Sequence, residues 1–333
     1  MNRGSQISKY KIIAGTVAAI GITLFAFWMV YRQIPDKSRL QELLARVNWF
    51  YVTLALLLTS ASWVADTARL WVICRSIGYR PRFLRLLAGI LAGNFLTLST
   101  PFLAGGAPAV VYALYLEGLS WADATATLLV GGLASQLALG SCAFAALNGL
   151  LSLAVPPKWI GPFVLFIPGY IVFMTSLALL AYFYDRYEYR AKALLRKLPR
   201  SSSVMKWLRD LNTSFRRILG PNKPAFAVAF LFGIVYFLLF FAVAPVCLQA
   251  LGIRRTWWKI MALQALIHTV AGITPTPGGS GTSELGVFYL FNRVLAPSVI
   301  GAYLLLWRGV TFFFNLAMGL IGLLFLVSWG AWR

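Results

Sequence analysis

The chain has 333 residues, of which 60% are hydrophobic and 12% charged, and its mean hydropathy is +0.76. Soluble domains carry about 25% charged residues, so a water-soluble globular protein is excluded. Apolar runs recur from end to end without strand-like alternation, which leaves an all-α polytopic membrane protein and excludes an outer-membrane barrel. The net charge of +21 lies in the connections between apolar runs, as the positive-inside rule expects, and suits anionic lipid headgroups rather than nucleic acid.

In chain order, Lys9 and Lys11 precede an apolar run over 12–30 that ends in bulky residues with no small-residue cleavage site. This reads as an uncleaved first span rather than a signal peptide. Residues 31–49 form a polar connector in which Leu40, Leu43, Leu44 and Val47 have helical spacing, and a helix lying in the membrane interface is expected there. The second span covers 50–73 and is followed by a short basic loop over 74–85. Residues 86–118 are apolar but broken by Pro101, Gly105, Gly106 and Pro108. Spans follow at 121–150 and 159–184, then a polar stretch over 185–224 with eleven Lys or Arg against three acids. A span at 225–251 leads to a second broken apolar segment, 260–295, which contains "PTPGGSG", and a last span covers 298–329.

Topology follows from the charges. With 185–224 in the cytoplasm, the spans before it place both ends of 86–118 inside. That segment must enter and leave on one side as a re-entrant hairpin of two half-helices, each too short for the ~30 Å hydrocarbon core. The same reasoning gives 260–295 both ends outside. The expected architecture is six full spans plus two re-entrant broken-helix hairpins in one integral membrane domain, 1–333. Two units of opposite orientation, 50–150 and 225–329, form an inverted repeat. Aligning Gly105 with Gly278 sets an offset of 173 residues. Paired broken segments of this kind point to a transport site near the midplane.

Backbone amides cannot be left bare in hydrocarbon. Pro275 and Pro277 remove two donors, and Gly278, Gly279, Ser280 and Gly281 then offer unhindered N–H groups before a half-helix that begins near Ser283. A Gly-rich approach to a helix N-terminus favours anions, phosphate above all. Ser99, Thr100, Gly105 and Gly106 offer the same in the first hairpin. The plainer alternative is that both breaks are turns packed by their neighbours. Glu284 is the one acid of the second hairpin, and Arg308 is too deep in the last span to snorkel easily. Each is the other's most economical partner, as a structural pair or as a gate for a headgroup or proton. Asp66 and Arg69 can pair on one helix face and read as structural. Gln136, Gln264 and His268 are weaker candidates, and His268 reads best as a satisfied core residue. Cys74, Cys142 and Cys247 are isolated, and His268 is the single histidine. No metal-ligand spacing, P-loop or soluble catalytic constellation is visible, so no cofactor, no metal and no enzymatic activity are expected.

The stretches "TPFLAGGAPAVVYALYLEGLSWADATATLLV" and "PTPGGSGTSELGVFYLF", with "LLWRGVTFF" after them, resemble the two signature regions of the lysylphosphatidylglycerol synthase transmembrane family, over nearly the whole chain. The resemblance implies a protein of the cytoplasmic membrane of a bacterium or archaeon that moves or binds polar lipids, and the charge-based topology puts both termini inside. It carries over to Pro277, Gly278, Gly279, Gly281, Glu284 and Arg308, and to Pro101, Gly105, Gly106 and Pro108. The chain stops within a few residues of its last span, so the family's aminoacyltransferase activity is not implied. The expected function is a flippase or scramblase for a phosphate-bearing lipid, whose substrate-binding residues also include Ser280 and Thr100. The alternative is a non-transporting membrane partner that docks a lipid-synthesising enzyme through 185–224. The implied partners are phospholipid or another polar lipid, a lipid-modifying enzyme and further copies of the chain.

Overall fold

The computed structural model describes residues 37–100, 105–152, 182–195, 201–220, 223–272, 275–292 and 294–331, with scattered positions in 17–32 and 161–180. The spans expected at 12–30 and 159–184, and Pro101 with the residues up to 104, fall largely or wholly outside the described residues. Every described element is a helix: α1 Lys37–Ala45, α2 Trp49–Ser76, α3 Phe83–Ser99, α4 Gly106–Leu116, α5 Trp121–Ser152, α6 Tyr184–Leu195, α7 Ser201–Leu219, α8 Lys223–Ala250, α9 Trp257–Gly272, α10 Thr282–Phe291, α11 Pro297–Arg308 and α12 Phe314–Ala331. A 3₁₀ turn, Pro277–Gly279, precedes α10, and a π-helical turn, Gly309–Phe313, joins α11 to α12.

Among the described residues, four helices are long and apolar enough to cross a membrane: Trp49–Ser76, Trp121–Ala146, Pro224–Ala250 and Pro297–Gly330. In α2, four hydroxyl groups are satisfied within the helix. Thr53, Thr59, Ser60 and Thr67 of α2 each donate to the carbonyl four residues back, at 2.8–3.0 Å, so they expose no unpaired donor to an apolar surround. Large apolar side chains such as Leu57, Phe144, Leu231 and Leu324 are exposed on the outside of these helices, where a soluble protein would put charge.

The helices on either side of each break are shorter. α3 and α4 have 17 and 11 residues, and α9 and α10 have 16 and 10; at 1.5 Å per residue none reaches the ~30 Å of a hydrocarbon core. Each couple packs as a pair, and the packing is exchanged between the two halves of the chain. α2 lies along α8; α3, from the first half, packs on α12, while α9, from the second, packs on α5.

Two sets of polar contacts fix the ends of the pairs. At the mouth of α3/α4, the Glu117 carboxylate accepts from the Arg82 N–H and lies 3.4 Å from Arg85 Nη1. This is the end reached by the C-terminus of α2. At the mouth of α9/α10, Arg255 Nε donates to the Val294 carbonyl at 3.3 Å. That is the opposite end, where α2 begins, since the Asn48 N–H donates to the Ala250 carbonyl at 2.8 Å. The two pairs therefore enter the bundle from opposite ends.

Two polar stretches are more ordered than their composition suggests. α1 buries Leu40 and Leu43 in the core cluster beneath α11, so the apolar face read as interfacial is spent largely on protein. The basic stretch 185–224, read as a loop, folds as α6 and α7. Leu211, Phe215 and Ile218 of α7 are buried with Ile73, Ala126 and Val130. Asp123, buried at the start of α5, is the polar anchor of this contact. It accepts from Tyr79 Oη at 2.7 Å, Ser120 Oγ at 3.0 Å, Ser214 Oγ at 2.8 Å and the Arg217 guanidinium. Burial first, and the bond to Asp123 second, raise the Tyr79 hydroxyl above the ordinary phenol value, so it remains a donor at neutral pH.

Candidate functional site

The second break is built from its glycines. Gly278 and Gly279 both have φ +62°, and Gly281 has φ +82°, a region that L side chains avoid. A Cβ on Gly278 would lie 2.8 Å from Phe312 Cε2 and 3.1 Å from the Leu98 carbonyl oxygen. The tip of the second pair thus sits directly against the end of α3 in the first. The 3₁₀ turn 277–279 packs on α3, and the two broken segments meet.

The expectation of open N–H groups along this turn is corrected by the structure. The Gly279 N–H donates to the Thr276 carbonyl at 3.2 Å and the Ser280 N–H to the Pro277 carbonyl at 3.1 Å. The Gly281 N–H donates to Glu284 Oε2 at 2.7 Å. Three of the four donors, those of Gly279, Ser280 and Gly281, are thus closed within the turn, because a buried amide left waiting for a ligand costs more than one closed locally. Thr100 does the same at the first break: its hydroxyl accepts from the Gly105 N–H at 2.8 Å and donates to the Leu96 carbonyl at 2.7 Å.

What remains for a ligand is side-chain chemistry. Glu284 is fully buried and its Oε1 lies 2.8 Å from Arg308 Nε, with Arg308 4% exposed. Arg308 also stacks near the rings of Trp307 and Phe312, 5.1 and 5.2 Å from their centroids, which offsets part of its desolvation. Among the described residues its Nη2 has no hydrogen-bond partner, and neither does Trp307 Nε1. A buried guanidinium with five N–H donors is held here by one carboxylate oxygen and two ring faces.

Arg308 lines a cavity of about 150 Å³. Its walls come from both halves of the chain: Asn94 and Thr97 of α3, Gln264 and His268 of α9, Gly278 and Ser283 at the second break, and Trp63 of α2. Trp63 is fixed by donating its Nε1–H to Asn315 Oδ1 at 2.8 Å. His268 is enclosed by Phe237, Phe240 and Phe241, with ring centroids 5.1–5.9 Å away.

A profile of the lysylphosphatidylglycerol synthase TM region matches residues 12–319. The chain belongs to this family. It is also 24% identical, over 92% of its length and 94% of the relative's, to a protein of Archaeoglobus fulgidus described as a UPF0104 membrane protein. It is thus a multi-pass membrane protein of a lipid-synthase-related family.

Among the family-matched residues, the structure gathers Pro277, Gly278, Gly279, Ser280, Gly281, Glu284 and Arg308 at one buried point, with Gly278 and Arg308 on the cavity wall. It does not bring Thr100, Gly105, Gly106 or Pro108 there, and Pro101 lies outside the described residues. Gly106 lines a neighbouring cavity of about 340 Å³, and Gly105 packs against Thr100 and the Leu96 carbonyl. Pro108 is exposed in the first turn of α4. The first pair contributes Asn94 and Thr97 instead, which the sequence reading passed over. Their signal was present: two polar residues three apart in an otherwise apolar half-helix lie on one face. Gln264 and His268, four apart, carry the same signal. Asp123 was also missed, since a lone acid near a helix start reads as a cap. Among the described residues no cluster of three His, Cys, Asp or Glu could hold a metal.

Proposed function

We propose that this protein moves a phosphate-bearing polar lipid across the membrane, with the headgroup passing through the cavity where the two broken helix pairs meet. On this reading the pairs are re-entrant hairpins of an inverted repeat, and their meeting point lies near the midplane. The observation that carries it is Arg308: a buried cation, balanced by Glu284 on one side and lacking an acceptor for Nη2, at the junction of both breaks. Ionisable groups in a membrane interior are costly and face substrate paths as a rule, and a guanidinium matches phosphate oxygens geometrically. The entry of the pairs from opposite ends supports alternating exposure of such a site.

The cavity is small for a headgroup, so on this reading transport requires Arg308 and Glu284 to part while the walls move. The test is lipid movement in liposomes. Purified protein would be reconstituted with headgroup-labelled phospholipids, and loss of the inner-leaflet label followed for wild type and Arg308→Gln. Movement in wild type that falls by about tenfold or more, the loss of a charged hydrogen bond, is the expected result. No movement of any lipid class, with or without a pH gradient, sinks the transporter reading and favours a docking role for the exposed basic face of α7.

A further inference from the structure

The Arg308 cavity has a neighbour, and its most informative residue is one that the sequence reads as structural. Arg69, in the middle of α2, is 6% exposed. Its Nε and Nη2 both donate to the same oxygen, Asp66 Oδ1, at 3.0 and 2.5 Å. Its Nη1 is buried and has no hydrogen-bond partner among the described residues. That nitrogen lies against the bare backbone of α5 at Gly131, where an added Cβ would come within 2.9 Å of it. Asp66 and Arg69 line a cavity of about 340 Å³ with Gly106, Gly132 and Gln136.

Two features make this more than a structural ion pair. A side chain that only needed a counter-charge would place both carboxylate oxygens against the guanidinium fork, the geometry of a bidentate pair; here one oxygen takes two donors and a third donor is left over. The cavity is also walled from the Arg308 site by two shared residues: Asn94 and Thr97 line both. An arginine short of an acceptor therefore stands on each side of one polar turn of α3.

We infer that Arg69 is a second anion-binding site, taking the phosphate of a lipid headgroup beside Asn94 and Thr97, one step away from the Arg308 cavity. The inference rests on the transport reading of that cavity. The shared chemistry is a phosphate oxygen accepting from the Arg69 guanidinium, whose Nη1 turns off Gly131 toward the cavity to meet it; Asn94, Thr97 and Gln136 supply further polar partners for the rest of a headgroup. Asp66 holds the guanidinium in place and sets a limit on charge, so an anionic or zwitterionic headgroup fits and a purely cationic one does not.

The test is built on Gly132, which lines this cavity and where an added Cβ meets nothing within 4 Å. Gly132→Leu therefore has room at its Cβ to project into the space, and the folding control reports whether the packing of α2 on α5 holds. Binding of a short-chain phosphatidylglycerol to the purified full-length protein would be measured by calorimetry for wild type, Gly132→Leu, Arg69→Gln and Arg308→Gln, with thermal unfolding in detergent as a folding control. Two equivalents in wild type are expected, with one lost in each variant and translocation slowed about tenfold or more. One equivalent in wild type that Arg308→Gln alone abolishes, with Gly132→Leu unchanged in binding and rate, overturns the second site and leaves the first standing. No binding in wild type overturns both. A parallel titration with inorganic phosphate separates the sources: Gly132-dependent binding of phosphate as tight as that of the lipid overturns the headgroup assignment in favour of a free-anion site. Should Arg69→Gln fail the folding control, Gly132→Leu decides the outcome by itself.

Discussion

In the first helix pair the break is closed by a hydroxyl, and in the second by a carboxylate. Thr100 bridges the Gly105 N–H and the Leu96 carbonyl, a neutral cap of the kind found at ordinary helix ends. Glu284 closes the second break by accepting from Gly281, and its other oxygen faces Arg308 across 2.8 Å. The backbone differs as well. Gly105 has φ −73°, open to most residues, whereas Gly278, Gly279 and Gly281 all have positive φ. Close packing takes a different form in each: α3 and α4 meet through Gly93 and Gly106, where a Cβ on Gly106 would stand 2.7 Å from the Gly93 carbonyl, a small-residue contact of membrane helices. The first break is thus closed by neutral contacts, and the second by charge and by a turn that only glycine adopts. Chemistry that a ligand or a proton can switch is concentrated at the second break.

The strongest way to break this comparison is Glu284→Gln. It leaves the Arg308 guanidinium buried without a counter-charge, a loss of about 3–5 kcal/mol, read as a drop in unfolding free energy in detergent micelles. A loss as small as that of a neutral cap would show that the charge at the second break does not stabilise it. Gly278→Val comes next. It imposes φ +62° on a β-branched residue and drives its Cβ against Phe312 and the Leu98 carbonyl, for about 1–3 kcal/mol; unchanged unfolding would mean that the two breaks do not press together. Thr100→Val is the smallest. It keeps the shape of the side chain and removes the hydroxyl that accepts from Gly105 and donates to Leu96, for about 1–2 kcal/mol, and lipid movement should stay near wild type because the hydroxyl serves only its own break. A large transport defect from Thr100→Val with normal stability would instead place the first break in the substrate path.

Much of this was legible in the residues alone. Helices in lipid satisfy their own amides, so apolar length and Pro/Gly punctuation predicted the four long described helices to within a few residues and placed both breaks. Glu284 and Arg308 were found as partners because a buried charge needs one and few are available. Asp66 and Arg69 were paired by helical spacing, and the i, i+3 contact is present at 2.5 Å. The N–H groups at 279–281 were misjudged because sequence shows which donors are unhindered but not which acceptors fold back on them. The helices α6 and α7 were read as a loop because a high Lys and Arg content masks the apolar spacing of Leu211, Phe215 and Ile218.

The sequence by itself determined the inventory: which segments are apolar enough for lipid, where a helix cannot continue, and which charges must find company. These are local properties, set by side-chain chemistry and by the missing N–H of proline or the missing Cβ of glycine. Only the tertiary structure decided that α3 packs on α12 and α9 on α5, that the two breaks touch at Gly278 and Leu98, and that Asn94 and Thr97 stand between two arginines. Contacts between residues 180 positions apart arise from how helix surfaces fit, and no local pattern records that fit.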